Sequence, residues 1–162
     1  MDMKDLVDFL AEQPQVSNMV GEAVDIEKLQ SSFEALSRRA LEICNANTEI
    51  CNSDRPAVRQ QIARRNKATS LFKRAYDTTS SQVVFFVRQN RQGAFLAEMQ
   101  TNTSGMLRTT KINSMGCFCD CPDATRDYEI CKHKLALCGL LVTLHQNWKK
   151  GLEERAYVKK KT

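Results

Sequence analysis

Several residue types that support catalysis or membrane insertion are scarce in this chain of 162 residues. It contains two histidines, one tryptophan, three prolines and six glycines, and aromatic residues make up 7%. A chain this poor in glycine and proline is not expected to be disordered throughout. Its longest apolar run, 135–144, is too short to cross a bilayer and is interrupted by Gly139 and Thr143. We therefore expect no membrane partner.

Charge is divided unevenly along the chain. Residues 1–50 carry ten acidic and four basic residues, a net charge of −6, whereas the remaining 112 residues carry nine acidic and twenty basic residues, a net charge of +11. This division indicates two surfaces with different partners. The alternative is that folding mixes the two blocks, since blocks of sequence need not become patches of surface.

Cysteine is the residue type present in excess. There are seven cysteines, an odd number, and five of them lie within 117–138. A disulfide scaffold would show an even number spread along the chain. Residues 1–10 contain three aspartates, which neither a secretory signal nor a transit peptide favours. We expect an intracellular, reducing compartment, the cytoplasm or the nucleus, where clustered cysteines more often bind metal.

The first half of the sequence predicts helices. Residues 3–12 are compatible with a short helix, and 13–21 read as a linker because Pro14 and Gly21 fall there. A helix is expected over 26–45, followed by a polar connection over 45–54 and a strongly basic helix over 56–76. One face of the 26–45 helix is an apolar stripe, which consists of Ile26, Leu29, Phe33, Leu36, Ala40 and Ile43. This stripe would pack in a helical hairpin, bind a protein partner or form the interface of an oligomer.

In the second half of the chain, the residue pattern changes from helical to strand-like. β-branched and aromatic residues predict strands over 82–87, 94–100 and 106–112, with short turns between them. A last amphipathic helix is expected over 132–155. The fold class is therefore α+β: an N-terminal helical hairpin, a three-stranded antiparallel meander, a zinc-binding loop and a C-terminal helix. The expected divisions are a helical region 1–78, a zinc-binding domain 79–158 and a basic tail 159–162.

Two residue pairs have the spacing of metal ligands. Cys119 and Cys121 form one pair, and Cys131 and His133 form the other. Three thiolates and one imidazole make a tetrahedral zinc site, and ligands in close pairs lower the entropic cost of closing it. Residues i and i+2 share a face only in extended chain. The first pair should therefore leave the third strand or the turn that follows it, and the second should straddle the start of the last helix.

These residues resemble the SWIM zinc finger, whose pattern is Cys-x-Cys, a variable loop and Cys-x-His. Pro122 and Asp123 after the second cysteine and the apolar helix opening 135–137 are also typical of that family. The resemblance covers 115–140, extends plausibly back to residue 82 and does not cover 1–80. It implies one structural zinc ion, a β-meander before the site and a helix after it.

The remaining cysteines leave one alternative open. Cys117 creates a Cys-x-Cys-x-Cys run, so that Cys117 with Cys119 is a second candidate pair. The Cys-Pro-Asp sequence favours Cys119 with Cys121. Cys138 is expected in the core of the last helix, and Cys44 and Cys51 are expected to be structural or free thiols. The plainest alternative for the whole cluster is a set of reduced cysteines without metal.

Enzymatic function is not expected. A site closed by four protein ligands has no position for water or substrate. The sequence contains no glycine-rich phosphate loop of either common type and no second cluster of carboxylates or histidines. A cysteine nucleophile would need a base, and His133 is already assigned to the metal.

Two functions remain from the sequence. The resemblance implies a nucleic-acid-associated module, since SWIM fingers occur in transposases, in chromatin ATPases and in small proteins that assist RecA-like recombinases. The alternative is a protein-interaction adaptor or structural subunit that uses the helix 26–45, with zinc as a scaffold only. DNA and RNA are not distinguished. The candidate phosphate contacts are Arg59, Arg64, Arg65, Lys67, Lys73, Arg74, Lys132 and Lys134.

Overall fold

The fold is α+β, as the sequence predicts. The computed structural model describes residues 6, 8–10, 26–54, 56, 58–76, 82–89, 94–103, 105–122 and 130–161. Leu6 and residues 8–10 are helical, while the predicted linker 13–21 lies outside the described residues. The elements that follow are α1 Ile26–Cys51, α2 Val58–Tyr76, β1 Val83–Gln89, β2 Phe95–Thr103, β3 Met106–Asn113, β4 Gly116–Cys119 and α3 Lys132–Lys161.

The sheet has four strands, so the expected three-stranded meander was one strand short. Its order is β1-β2-β3-β4, and every neighbouring pair is antiparallel. The turn into β4 is made by Asn113, whose side-chain oxygen accepts a hydrogen bond from the Met115 N–H at 2.8 Å. Gly116 then takes a φ of 147°, a backbone conformation that is strained for any residue with a side chain. This tight turn returns the chain along β3 and carries it to Cys119.

Helix α1 is longer than predicted. The polar stretch after Asn45 was expected to be a connection, but the helix continues to Cys51. Asn47 is 2% exposed, and its side-chain nitrogen donates a hydrogen bond of 2.8 Å to Gln61 Oε1 on α2. A buried side-chain hydrogen bond between helices therefore overrides the weak helix propensity of asparagine.

The predicted helical hairpin also needs correction. Both α1 and α2 pack mainly against α3 rather than against each other. The apolar stripe of α1 is consumed by this packing, because Leu29, Phe33, Leu36 and Ala40 are all buried in the core. That stripe is not a free surface, and a protein partner of α1 would have to bind another face of the helix.

The core joins the helices to one face of the sheet. Alternate residues of β1 point inward, with Val83, Phe85 and Val87 buried and Val84 exposed. The Phe33 ring packs edge-on against Phe95 of β2, with ring centroids 4.9 Å apart. The helical half of the chain and the sheet therefore share one hydrophobic core.

Truncation of Phe33 should be costly. Because the ring is fully buried against Phe95, Phe33→Ala is expected to lower the free energy of unfolding by about 3–5 kcal/mol. The matched control is Leu107→Ala at a position that is 62% exposed, where a change within about 0.5 kcal/mol is expected. Urea unfolding followed by circular dichroism measures both. Equal effects of the two variants would contradict this core assignment.

The stability should depend on pH through His145. Its ring lies 5.3 Å from the Phe33 ring, and burial, followed by repulsion from Lys149, lowers its pKa below 6.5, with Glu34 acting in the opposite direction. A depressed histidine pKa gives a contribution that is complete above pH 6.5 and is lost as pH falls through the lower folded pKa. The measurement is urea unfolding of wild type and His145→Gln between about pH 5 and 7.5. Wild type should gain stability relative to the variant as pH rises through this range. A constant difference would refute the coupling.

Candidate metal centre

The end of β4 and the beginning of α3 bring four metal-ligating side chains together. Cys119 is the last residue of β4 and Cys121 follows two positions later, while α3 begins at Lys132, between Cys131 and His133. The two pairs thus have the expected placement, although the strand that carries the first is β4. One ligand atom from each of Cys119, Cys121, Cys131 and His133 lies within 4.8 Å of all the others.

The cluster is shielded from solvent. Cys121, Cys131 and His133 are 4%, 0% and 7% exposed, and Cys119 is half-buried. Nδ1 of His133 is buried and has no hydrogen-bond partner among the described residues. A buried imidazole nitrogen normally has a partner, so one beside three thiols has the property expected of a metal ligand.

The hydrogen bonds around the sulfur atoms favour a thiolate at Cys119. The Thr110 hydroxyl lies 3.4 Å from Cys119 Sγ, and the Lys134 backbone N–H donates to Cys131 Sγ at 3.4 Å. The hydrogen bond from Cys131, assisted by those from His133 and Thr110 against the effect of burial, lowers the pKa of Cys119 to about 3. The same hydrogen bond raises the pKa of Cys131. A bound metal cation would take the place of the proton that Cys131 donates to Cys119.

The cluster fits tetrahedral zinc. A zinc–sulfur bond of about 2.3 Å places two tetrahedral sulfur ligands roughly 3.8 Å apart. The separations here are all within 4.8 Å, so small shifts of side chains are enough to reach this geometry. Three sulfurs and one nitrogen are the donors that structural zinc prefers, and they leave no position for a substrate.

Cys117 lies outside this group. Its side chain is hydrogen-bonded to Cys138 of α3, an interaction that lowers the pKa of Cys117 and raises that of Cys138. Cys44 of α1 packs against the same region, and burial raises its pKa to about 11. The seven cysteines are all free thiols. Cys138 is in the core, as predicted.

The predicted phosphate contacts are not brought to the cluster as a group. Six of them lie on α2, where Arg64 is only 8% exposed and the other five are exposed. Lys132 and Lys134 are half-buried in the first turn of α3, next to the cysteines. The candidates are therefore divided between α2 and the first turn of α3.

Two residues near the cluster were missed by the sequence analysis. Thr110 of β3 is fully buried and contacts Cys119, and its position opposite Cys119 in the β3–β4 register explains why. Arg108 lines a groove of about 290 Å³ beside the cluster, together with Thr101 and Lys132. No local pattern singles out either residue, because both depend on strand register.

The fold and the donor set define a zinc-binding module in which the metal has a structural role. Residues 103–141 match the family model of the SWIM zinc finger. The match extends from the end of β2 through β3, β4 and the cluster into α3, and it confirms the predicted resemblance. Together with the Cys/His cluster it supports one structural zinc ion. Searches of curated proteins and of solved structures gave no match.

A helix that crosses a bilayer must be long and apolar. Among the residues that the structure describes, no helix is both long and apolar enough to cross a bilayer.

Metal content should separate the two candidate cysteine pairs. Cys117→Ser is expected to retain about one zinc ion per chain, whereas Cys121→Ser and His133→Ala should lose it, since a structural site needs four ligands. Metal analysis of protein purified without added zinc measures this. The matched comparison is Cys117→Ser against Cys121→Ser, two identical changes four residues apart. Zinc loss in Cys117→Ser with retention in Cys121→Ser would move the site to the alternative pair.

Proposed function

We propose that this protein is a non-enzymatic zinc-binding module that associates with nucleic acid, as an accessory factor in DNA recombination, replication or transcription. It works in a reducing intracellular compartment, the cytoplasm or the nucleus, which the seven free thiols support. The observation that carries the proposal is a row of exposed cations on α2, together with the zinc finger match.

In this proposal Cys119, Cys121, Cys131 and His133 are the zinc ligands. Zinc supplies charge neutralisation and a fixed connection between β4 and α3, and no reaction takes place on it. The free energy of metal binding then contributes to folding of the module. The division of the chain into a helical region 1–78, a zinc-binding domain 79–158 and a tail 159–162 remains part of the proposal.

The cations of α2 form a continuous outward face. At about 100° per residue, Arg59, Lys67, Lys73 and Arg74 fall within roughly 120° of one another and span about 22 Å along the helix. All four are exposed, and no acidic residue lies within α2 to offset them. Such a row matches the charge of a nucleic-acid backbone, whose neutralisation releases counterions and makes binding depend on salt.

The remaining candidates contribute unequally to this surface. Arg64 is buried on the opposite face of α2 and is left out of the proposed contacts. Arg65 is exposed but turned toward α3, where it lines a cavity with Phe72 and Gly139. Lys132 and Lys134, with Arg108, supply a second basic region beside the zinc finger.

Salt-dependent binding tests the proposal. Zinc-loaded protein should bind labelled single-stranded DNA, duplex DNA or RNA in fluorescence anisotropy, with an affinity that falls steeply with salt. Lys67→Glu/Arg74→Glu should weaken binding and lower the slope of log affinity against log salt by about two, since each lost phosphate contact removes about one.

The control is a second double variant that changes the net charge by the same amount but leaves α2 unchanged. Lys111→Glu/Lys150→Glu changes two exposed lysines on β3 and α3 and should leave the salt slope unchanged. An equal loss in both double variants would mean that only net charge matters. The absence of saturable binding to all three nucleic acids would favour the adaptor function instead, with zinc as a scaffold.

A further inference from the structure

A furrow between α1 and α3 is the main unassigned surface feature. The two helices run antiparallel, because Phe33 near the start of α1 contacts His145 at the middle of α3, whereas Cys44 late in α1 lies with Gly139 early in α3. The furrow therefore has one half near the zinc finger and one half far from it.

Helix α2 covers the half near the zinc finger. There a cavity of about 220 Å³ is lined by residues of all three helices, among them Cys44, Thr48, Phe72 and Gly139. The Phe72 ring lies against Gly139, where an added Cβ would be 3.5 Å from the ring. This half of the furrow thus already accepts a helix that seats an apolar side chain in it.

The far half is lined by α1 and α3 alone. It is a groove of about 390 Å³, and no other part of the described chain lines it. Ser37 and Leu41 line it from α1, and Val142, His145 and Lys149 line it from α3.

The two halves belong to one continuous surface. On α1, Ser37 and Leu41 share a stripe with Cys44 and Thr48, since all four fall within about 60° at 100° per residue. On α3, the same calculation places Leu135 and Gly139 of the covered half on one stripe with Val142 and Gln146 of the open half. The open half therefore presents the continuation of the surface that binds α2.

Two buried polar atoms in the open half have no hydrogen-bond partner. They are Oγ of Ser37, a residue that is 3% exposed, and Nε2 of His145; neither has a partner among the described residues. Both residues line the groove. Leaving buried polar groups unpaired is unfavourable. Both atoms are shielded from solvent, so a bound oxygen acceptor would pair them after the side chains of the groove shift.

The charges and apolar residues of the open half define the chemistry of its occupant. Arg38 and Lys149 line it and form no ion pair with another described residue, so together with Glu34 they give it a net positive charge. Leu41 is 44% exposed and Val142 is half-buried, which makes an apolar floor about one turn from Ser37 and Arg38. An apolar side chain and a carboxylate one turn apart would match this arrangement.

We propose that the open half of the α1–α3 furrow binds one amphipathic helix of a partner protein. Its apolar side chain packs against Leu41 and Val142. A carboxylate three or four residues away pairs with Arg38 and Lys149. The same carboxylate accepts hydrogen bonds from Ser37 and His145. This mode of recognition is the one in which a helix lays one face into a groove, and it stands independently of nucleic-acid binding by α2.

A display library of helical peptides, randomised on one face, tests the proposal with the zinc-loaded full chain as bait. Selected peptides should carry an acidic residue three or four positions from an apolar one, and a labelled selected peptide should bind in fluorescence anisotropy. Lys149→Glu should weaken this peptide about tenfold or more, as charge reversal beside a carboxylate does. The neighbouring Lys150→Glu is the matched control and should leave the affinity within about twofold.

Ser37→Ala separates binding from folding. Because the hydroxyl has no partner among the described residues, the variant should keep or raise the Tm while weakening the binding of the peptide. Zinc content and circular dichroism verify that all variants fold. A loss of peptide affinity accompanied by an equal loss of Tm would mean that Ser37 is structural, which contradicts its proposed role.

If the furrow binds something other than a partner helix, these experiments give different results. Failure to select any binder at up to about 1 mM, or selection of peptides insensitive to both Lys149→Glu and Leu41→Asp, would overturn the proposal. A chain that self-associates in light scattering and becomes monomeric in Leu41→Asp would assign the furrow to a second copy. Loss of DNA affinity in Lys149→Glu but not in Lys150→Glu would assign it to nucleic acid.

Discussion

The position of α3 depends on how the charge of three crowded thiols is balanced. Cys119, Cys121 and Cys131 place their sulfur atoms within 4.8 Å of one another. Two unit charges at about 4 Å repel by roughly 4 kcal/mol at an effective dielectric constant of 20, so three thiolates cannot remain together uncompensated. The hydrogen bond from Cys131 to Cys119 relieves part of this repulsion, and a zinc ion would relieve more, since it carries two positive charges.

A zinc ion would fix the start of α3. This helix matters for the whole molecule, because the other helices pack against it. The helix begins one residue after Cys131, and both α1 and α2 pack mainly on it. The position of α2 sets where its exposed cations lie, and the antiparallel packing of α1 on α3 forms the furrow. Both surfaces therefore lie on elements that pack against the helix that begins at the cluster.

The predictions that succeeded from sequence were those that depend on local spacing. The two ligand pairs and the start of α3 could be read because a one-residue spacing constrains the backbone directly. β4 was missed because it has only four residues and its cysteines suggested a metal loop. The turn residues Asn113 and Gly116 were the signal that could have revealed it.

Other features depended on tertiary contacts that no local pattern contains. The helical extension to Cys51 is stabilised by the bond between Asn47 and Gln61, and the furrow exists only through the pairing of α1 with α3. The burial of Arg64 was nevertheless readable from helical spacing. Gln61, Arg64, Ala68 and Leu71 are all buried and recur at steps of three and four, so the interior face of α2 passes through a charged residue.

The separation of the two proposed surfaces limits how they can act together. The cations Arg59, Lys67 and Arg74 are exposed, while another face of α2 lines one half of the furrow. A helix bound in the open half shares no residue with this outward cation row, so the two ligands do not compete for the same side chains. A partner helix would instead continue the surface that holds α2. If both proposals hold, the arrangement would let this module contact nucleic acid through one helix while its furrow receives a helix of a partner protein.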